Sequence, residues 1–150
     1  MNTYLVYLNS AQKVDTVEHG TIRGLVVANP EECQTRALAR DYLSIEAGDE
    51  IIACTADGIR WKAAIDEIVD ATREQSDEDA SADGGGPVRV LQGKLVARGS
   101  RSIAAVCKHM RDNDIELPAI INSRGSGFKQ GALATLLTDE QNEQFSTGLS

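Results

Sequence analysis

The fold turns on one stretch, Gly48-Asp49-Glu50-Ile51-Ile52-Ala53-Cys54-Thr55-Ala56-Asp57-Gly58-Ile59-Arg60-Trp61-Lys62-Ala63-Ala64-Ile65-Asp66-Glu67-Ile68-Val69. Glu50 to Ala56 reads as a strand, and Asp57-Gly58 after it is a hairpin signal, because Asp and Gly tolerate the backbone of a tight primed turn. The residues after Gly58 admit two readings. Trp61, Ala64, Ile65, Ile68 and Val69 recur at helical spacing, whereas Ile59, Trp61, Ala63 and Ile65 alternate as a return strand would. Periodicity by itself slightly favours the helix.

Upstream of this stretch, Tyr4 to Leu8 is strand-like and Thr21 to Ala28 is a second extended candidate rich in β-branched residues. Asn29-Pro30-Glu31-Glu32 reads as a helix start, with Asn as N-cap, Pro at the first helical position and Glu three residues after the cap. Cys33, Ala37, Leu38, Tyr42 and Ile45 continue that helix on one face, and Gly48-Asp49 ends it. Downstream, Arg73 to Pro87 combines Glu74, Asp77, Glu78, Asp79 and Asp83 with Gly84-Gly85-Gly86. It has no apolar residue larger than Ala, so it is expected to be a mobile loop joining two halves of one domain. Val88 to Ala97 then reads as a strand, and Ser102 caps a short helix through Asn113. Ala119 to Asn122 and Gly131 to Leu137 look extended, and Thr138-Asp139-Glu140-Gln141 is a capping box for a last helix.

The chain has 150 residues, 41% hydrophobic and 25% charged, which is the size and composition of one globular domain. Its apolar runs are far shorter than the roughly 18 residues that would span a bilayer. The N-terminus lacks the pattern of a secretion signal, so the expected compartment is the cytoplasm. Cys33, Cys54 and Cys107 are widely spaced and odd in number, which suits buried residues in a reducing compartment better than a disulfide framework. No CxxC pair exists, and His19 and His109 have no partner at ligand spacing, so no metal or other cofactor is expected.

A net charge of −8 taken alone argues against a nucleic-acid partner. The charge is unevenly distributed, however. Val88 to Gly131 holds eight basic and three acidic residues, net +5, and the remainder is net −13. Such a chain can present one basic face while its bulk stays acidic.

The order of these pieces resembles the EVE domain of the PUA-like superfamily, relatives of the YTH and ASCH domains. The resemblance rests on Tyr4-Leu5-Val6-Tyr7-Leu8-Asn9, on His19-Gly20-Thr21-Ile22-Arg23-Gly24, on Ala47-Gly48-Asp49 before a strand, and on the return-strand pattern Ile65-Asp66-Glu67-Ile68-Val69. In the second half it rests on a strand like Val88 to Ala97, on Ser123-Arg124-Gly125-Ser126-Gly127-Phe128-Lys129-Gln130-Gly131, and on the helix opened by Thr138. It covers about residues 3–72 and 88–147. The resemblance implies an α+β domain built on a PUA-like, partly closed, mixed β-barrel with short flanking helices, and therefore strand for Ile59 to Ala71. The family carries tryptophans where this chain has Leu5, Arg23 and Gly125.

A pocket for an extruded base needs a planar wall for stacking and a few polar groups for the base edge. The candidates are Trp61, Phe128, Tyr4 and Tyr7 as walls, with Asn9 and Ser126 as polar contacts. Phe128 sits in a Gly-rich polar loop where no core stripe requires it. Arg124 and Lys129 in that loop, with Arg98 and Arg101 in a second basic loop before the Ser102 helix, are the candidate phosphate contacts. Neither a dinucleotide fingerprint nor a P-loop is present, and no GxSxG elbow or His–nucleophile spacing supports catalysis. The expected function is a non-enzymatic nucleic-acid-binding domain that recognises a modified or flipped-out base. The alternative is a structural or assembly subunit using the same scaffold for protein contacts. A hydrolytic enzyme would need a buried Lys beside a carboxylate.

Overall fold

Asp57 makes the turn and the residues after it return as a strand, so the stretch that admitted two readings is a β-hairpin. In the computed structural model, residues 1–8, 17–18, 21–28, 37–72, 87–130, 132–147 and 149 are described, with 17–18, 21–28, 69–72 and 87–90 as backbone only. Among them the strands are β1 (Thr3–Tyr7), β2 (Val17–Glu18), β3 (Thr21–Ala28), β4 (Glu50–Thr55), β5 (Gly58–Thr72), β6 (Pro87–Arg101) and β7 (Ala134–Leu136). A 3₁₀ turn covers Arg40–Ser44, and the helices are α1 (Ile103–Asp112) and α2 (Asp139–Ser146). The strands form one seven-stranded sheet in the order β2-β3-β6-β5-β4-β1-β7. β1 and β4 are parallel and the other ladders antiparallel, so the domain is α+β with a mixed sheet. No ladder among the described residues joins β2 to β7, and the sheet is open there rather than closed into a barrel.

Both faces of the sheet centre are covered. Along β1, Tyr4, Val6 and the following Leu8 belong to one buried cluster and Leu5 to the other; along β4, Ile51 and Ala53 alternate in the same way with Ile52 and Cys54. This alternation is the two-residue period of a strand, and burial of both sides explains why these segments read as nearly continuous apolar runs. The 3₁₀ turn contributes Tyr42 to the first cluster, and α1 and α2 contribute Val106, Met110 and Phe145 to the second.

The hairpin departs from simple alternation. Cys54 pairs with Ile59 and Ala53 with Trp61, leaving Arg60 as an extra residue. This bulge turns Ile59 to the helix-covered face while Trp61, Ala63 and Ile65 face the other cluster, so the four residues expected to share a face do not. Further register shifts at Ile65/Glu67 and Lys62/Ala63 let the long β5–β6 pair bend, with β4 on one flank of β5 and β3 on the far flank of β6.

The helix expected from Asn29 to Ile45 is corrected where it can be followed. Residues 29–36, with Cys33, lie outside the described residues, and Arg40–Ser44 is a 3₁₀ turn. An α-helix would direct Tyr42 N–H to the Leu38 carbonyl. That carbonyl instead accepts from Leu133 N at 2.9 Å and Ala134 N at 3.2 Å, and Tyr42 N donates to Ala39 O at 3.1 Å. Asp41 Oδ2 accepts from Leu136 N at 2.8 Å. The segment thus covers the outward N–H groups of edge strand β7, which would otherwise present an open pairing edge.

In the second half some expectations hold with adjusted limits and two do not. Ser102 caps α1 through Oγ, which accepts from Ala105 N at 3.1 Å. The Thr138–Gln141 capping box is formed, and Gln141 Nε2 also donates to Glu116 O at 2.8 Å. Ala119 to Asn122 is not a strand; it contributes one isolated bridge, Ile121 to Phe128. β6 runs on through Arg101, so Arg98 to Arg101 is strand rather than a basic loop. The acidic segment falls at 73–86, outside the described residues, between the paired Thr72 and Pro87.

Gly48-Asp49 makes the turn that leads into β4, but it ends no α-helix. Gly48 has φ +100°, and the buried Asp49 carboxylate accepts from Asn2 N at 3.0 Å and Glu46 N at 2.9 Å. It ties the start of β1 to the entry of β4. Asp49→Ala leaves two donors without a charged acceptor, and a loss of about 2 kcal/mol is expected. Thermal unfolding should show a midpoint lower by about 4–8 °C.

Candidate nucleic-acid interface

The Gly-rich segment after Ile121 folds back on itself. Asn122 N donates to Gly127 O at 2.9 Å, Lys129 N to Ile120 O at 2.8 Å and Gly125 N to Asn122 O at 3.0 Å. The Asn122 side chain spans the loop, its Oδ1 accepting from Ser126 N at 3.0 Å and its Nδ2 donating to Ser126 Oγ at 3.3 Å. This is the local turn chemistry that makes Asn a turn residue. Gly125 takes φ +69°, and a Cβ there would stand 3.0 Å from Cys107 Cβ, so the loop lies directly on α1.

The loop delivers Phe128 to β1. Its ring stacks on Tyr7 with centroids 4.3 Å apart and planes 17° from parallel. Both rings are half-buried, and Phe128 packs against the helix-side cluster. The expectation that Phe128 lacks core neighbours is therefore corrected: the ring is seated, and Tyr7 is its partner. A stacked pair with partly exposed rings is a surface on which a further planar group can lie.

The candidate ligand residues are not all brought together. Ser126 and Phe128 share one loop, and Asn9 lies outside the described residues. Trp61 is 2% exposed in the cluster on the opposite face of the sheet from Phe128. Its Nε1 has no hydrogen-bond partner among the described residues. Tyr4 is equally buried, with its hydroxyl donating to Ser44 O at 3.1 Å. Burial pushes that hydroxyl's pKa up. Trp61 and Tyr4 are core side chains, and their partners on β4 and the 3₁₀ turn account for their apolar character.

The basic residues also divide. Arg124 and Lys129 are exposed on the loop. Arg101 Nη1 donates to Gln144 O at 3.4 Å and Thr147 O at 3.2 Å, so its charge sits on the carbonyl end of α2. Arg98 is exposed on β6, paired with Trp61. Two contributors escaped the sequence reading. One is Asn122, whose Asn-Ser-Arg-Gly context is a turn signal. The other is Arg111 on α1, which donates to the Ser123 and Arg124 carbonyls; no local pattern announces such a contact.

Two further groups bear on chemistry. Cys54 and Cys107 are buried and free. Burial pushes both thiols up, Cys54 strongly, which disfavours the nucleophilic thiolate. Lys62 Nζ lies 3.5 Å from Glu50 Oε1, both half-buried, and donates to Ser146 Oγ at 3.0 Å. The Ser146 hydroxyl donates in turn to Asn142 Oδ1 at 3.0 Å. This Lys–carboxylate pair is half-buried, and Lys62 is engaged where α2 is fastened to β4 and β5, so it falls short of the buried Lys that a hydrolytic enzyme would need. Among the described residues no group of three His, Cys, Asp or Glu side chains could hold a metal ion, and no helix is long and apolar enough to cross a membrane.

No family model matches the chain, and no curated protein matches it.

Proposed function

We propose that this chain is a nucleic-acid-binding domain that holds an extruded or modified base against the Tyr7–Phe128 pair, binding without catalysis. The observation that carries the proposal is this half-exposed aromatic stack, in which β1 supplies Tyr7 and the loop that also bears Arg124 and Lys129 supplies Phe128. Stacking is tolerant of base identity because every base has a π face, and the cations supply the attraction to the backbone. Ser126, and Asn9 just beyond β1, are assigned to the base edge. Support of a second kind comes from the EVE-like order of motifs, and the PUA-like architecture belongs to the same proposal. The open sheet and the burial of Trp61 modify the reading by moving the pocket wall from Trp61 to Tyr7.

The test is fluorescence anisotropy at low salt with labelled single-stranded and duplex oligonucleotides, with and without a modified base. The wild type is expected to bind, with affinity falling as salt rises. Phe128→Ala and Tyr7→Ala should each weaken binding roughly tenfold to a hundredfold per folded molecule. Absence of binding to every oligonucleotide overturns the function, and binding insensitive to both rings overturns the site. Retention of a protein partner by a chain that ignores oligonucleotides would favour the assembly-subunit alternative.

A further inference from the structure

We propose that Arg111 is a positioning residue that holds the Asn122–Phe128 loop in its binding shape before any ligand arrives, an inference that rests on the proposed base-binding function. The guanidinium donates to two successive carbonyls, Nη1 to Arg124 O at 3.0 Å and Nη2 to Ser123 O. A planar fork can satisfy two neighbouring acceptors at once, which a single ammonium cannot reproduce. The pinned carbonyls immediately precede Gly125, the residue with φ +69°.

The same guanidinium also packs over Gly125, its Cζ and Nη1 3.4 Å from where a Cβ would stand, with Cys107 Cβ 3.0 Å away on the other contact. Cys107 and Arg111 are one helical turn apart, so α1 forms the floor of the loop. From inside, Asn122 ties Ser126; from outside, Arg111 ties Ser123 and Arg124. Between them these two residues restrain the segment that carries Phe128 and the exposed Arg124. Arg111 therefore contributes shape, and phosphate attraction falls to Arg124 and Lys129. A loop ordered in advance spares the ligand the free energy of ordering it.

The experiment uses the full chain with Arg111→Met, Arg111→Lys and Arg124→Ala. Without ligand, amide exchange at Gly125 and Ser126 should accelerate by roughly tenfold or more in both Arg111 variants, because loop opening becomes easier. With oligonucleotide, Kd should rise roughly tenfold in both, while the slope of log Kd against log salt stays at the wild-type value. Arg124→Ala should lower that slope by about 0.7–0.9, the signature of one lost phosphate contact. Unchanged exchange in Arg111→Met overturns the proposal. So does recovery of wild-type exchange and Kd by Arg111→Lys, which would make charge rather than the fork the cause. A reduced salt slope in Arg111→Met also overturns it, since Arg111 would then be a phosphate ligand. Failure of the wild type to bind any oligonucleotide defeats the base-binding function instead, and the exchange data alone then decide whether Arg111 holds the loop.

Discussion

Gly93→Ala is expected to destabilise the chain by about 3 kcal/mol or more, enough to remove a large share of the stability of a domain this size. Gly93 pairs with Ile65 on β5 and with Ile22 on β3, so its backbone is held on both flanks. A Cβ there would collide with the Ala64 carbonyl oxygen and stand 2.9 Å from Ala64 C and 3.0 Å from Ile65 Cα. Those are backbone atoms of the longest ladder in the sheet, and no rotamer change relieves the overlap. Relief requires the two strands to separate next to the Ile65/Glu67 register shift, which disturbs the hydrogen bonds on either side. Two other glycines serve as controls. A Cβ on Gly127 would have Asn122 Nδ2 at 3.8 Å as its nearest neighbour, an ordinary contact, and Gly48 with φ +100° has open space around it. Gly127→Ala should be close to neutral, and Gly48→Ala should cost only its backbone strain, about 1–2 kcal/mol. Denaturant midpoints of the three variants measure the contrast, and near-equality of Gly93→Ala and Gly127→Ala would refute the close approach.

Trp61→Ala is expected to cost about 3–5 kcal/mol, because it empties the largest fully buried side chain of the core. The residue shares one cluster with Tyr4, Tyr42 and Ile65, and β4 and β6 fix its backbone through Ala53 and Arg98. Trp61→Phe should cost much less. It removes volume, but the indole Nε1 has no partner among the described residues, so no hydrogen bond to any of them is lost with it. Neither substitution should change oligonucleotide affinity per folded molecule, since Phe128 and Tyr7 lie across the sheet. Calorimetry or denaturant unfolding, set beside anisotropy on the folded fraction, separates the two effects. Loss of binding by a well-folded Trp61→Phe variant would return Trp61 to the site.

By itself the sequence determined the elements whose causes are local. The hairpin signalled by Asp57-Gly58, the Ser102 cap and the Thr138–Gln141 capping box each depend on residues within three or four positions of one another, and each is formed, although the turn itself is Ala56-Asp57 and Gly58 already pairs with Thr55 as the first residue of β5. Thr21–Ala28 is a strand with the bounds its β-branched run suggests. Where two periodicities competed, over Ile59 to Ala71, the helical count lost because β4 and β6 both pair with the segment, and ladder hydrogen bonds outweigh a weak stripe.

Only the tertiary structure decided the face of Ile59, the nature of Arg40–Ser44 and the composition of the candidate site. A single extra residue at Arg60 reverses which face a side chain meets, and pattern alone does not locate a bulge. The Leu38 carbonyl was taken by Leu133 and Ala134, from a distant part of the chain, and that denied an α-helix the bond from Tyr42 N–H. Trp61 and Phe128, equally attractive as aromatic walls by residue type, were separated by the thickness of the sheet, while Tyr7 and Arg111 were brought to the loop by strand and helix packing. Local hydrogen-bonding chemistry is written in neighbouring residues; which distant groups meet is set by how the sheet stacks and bends, and that depends on the whole chain at once.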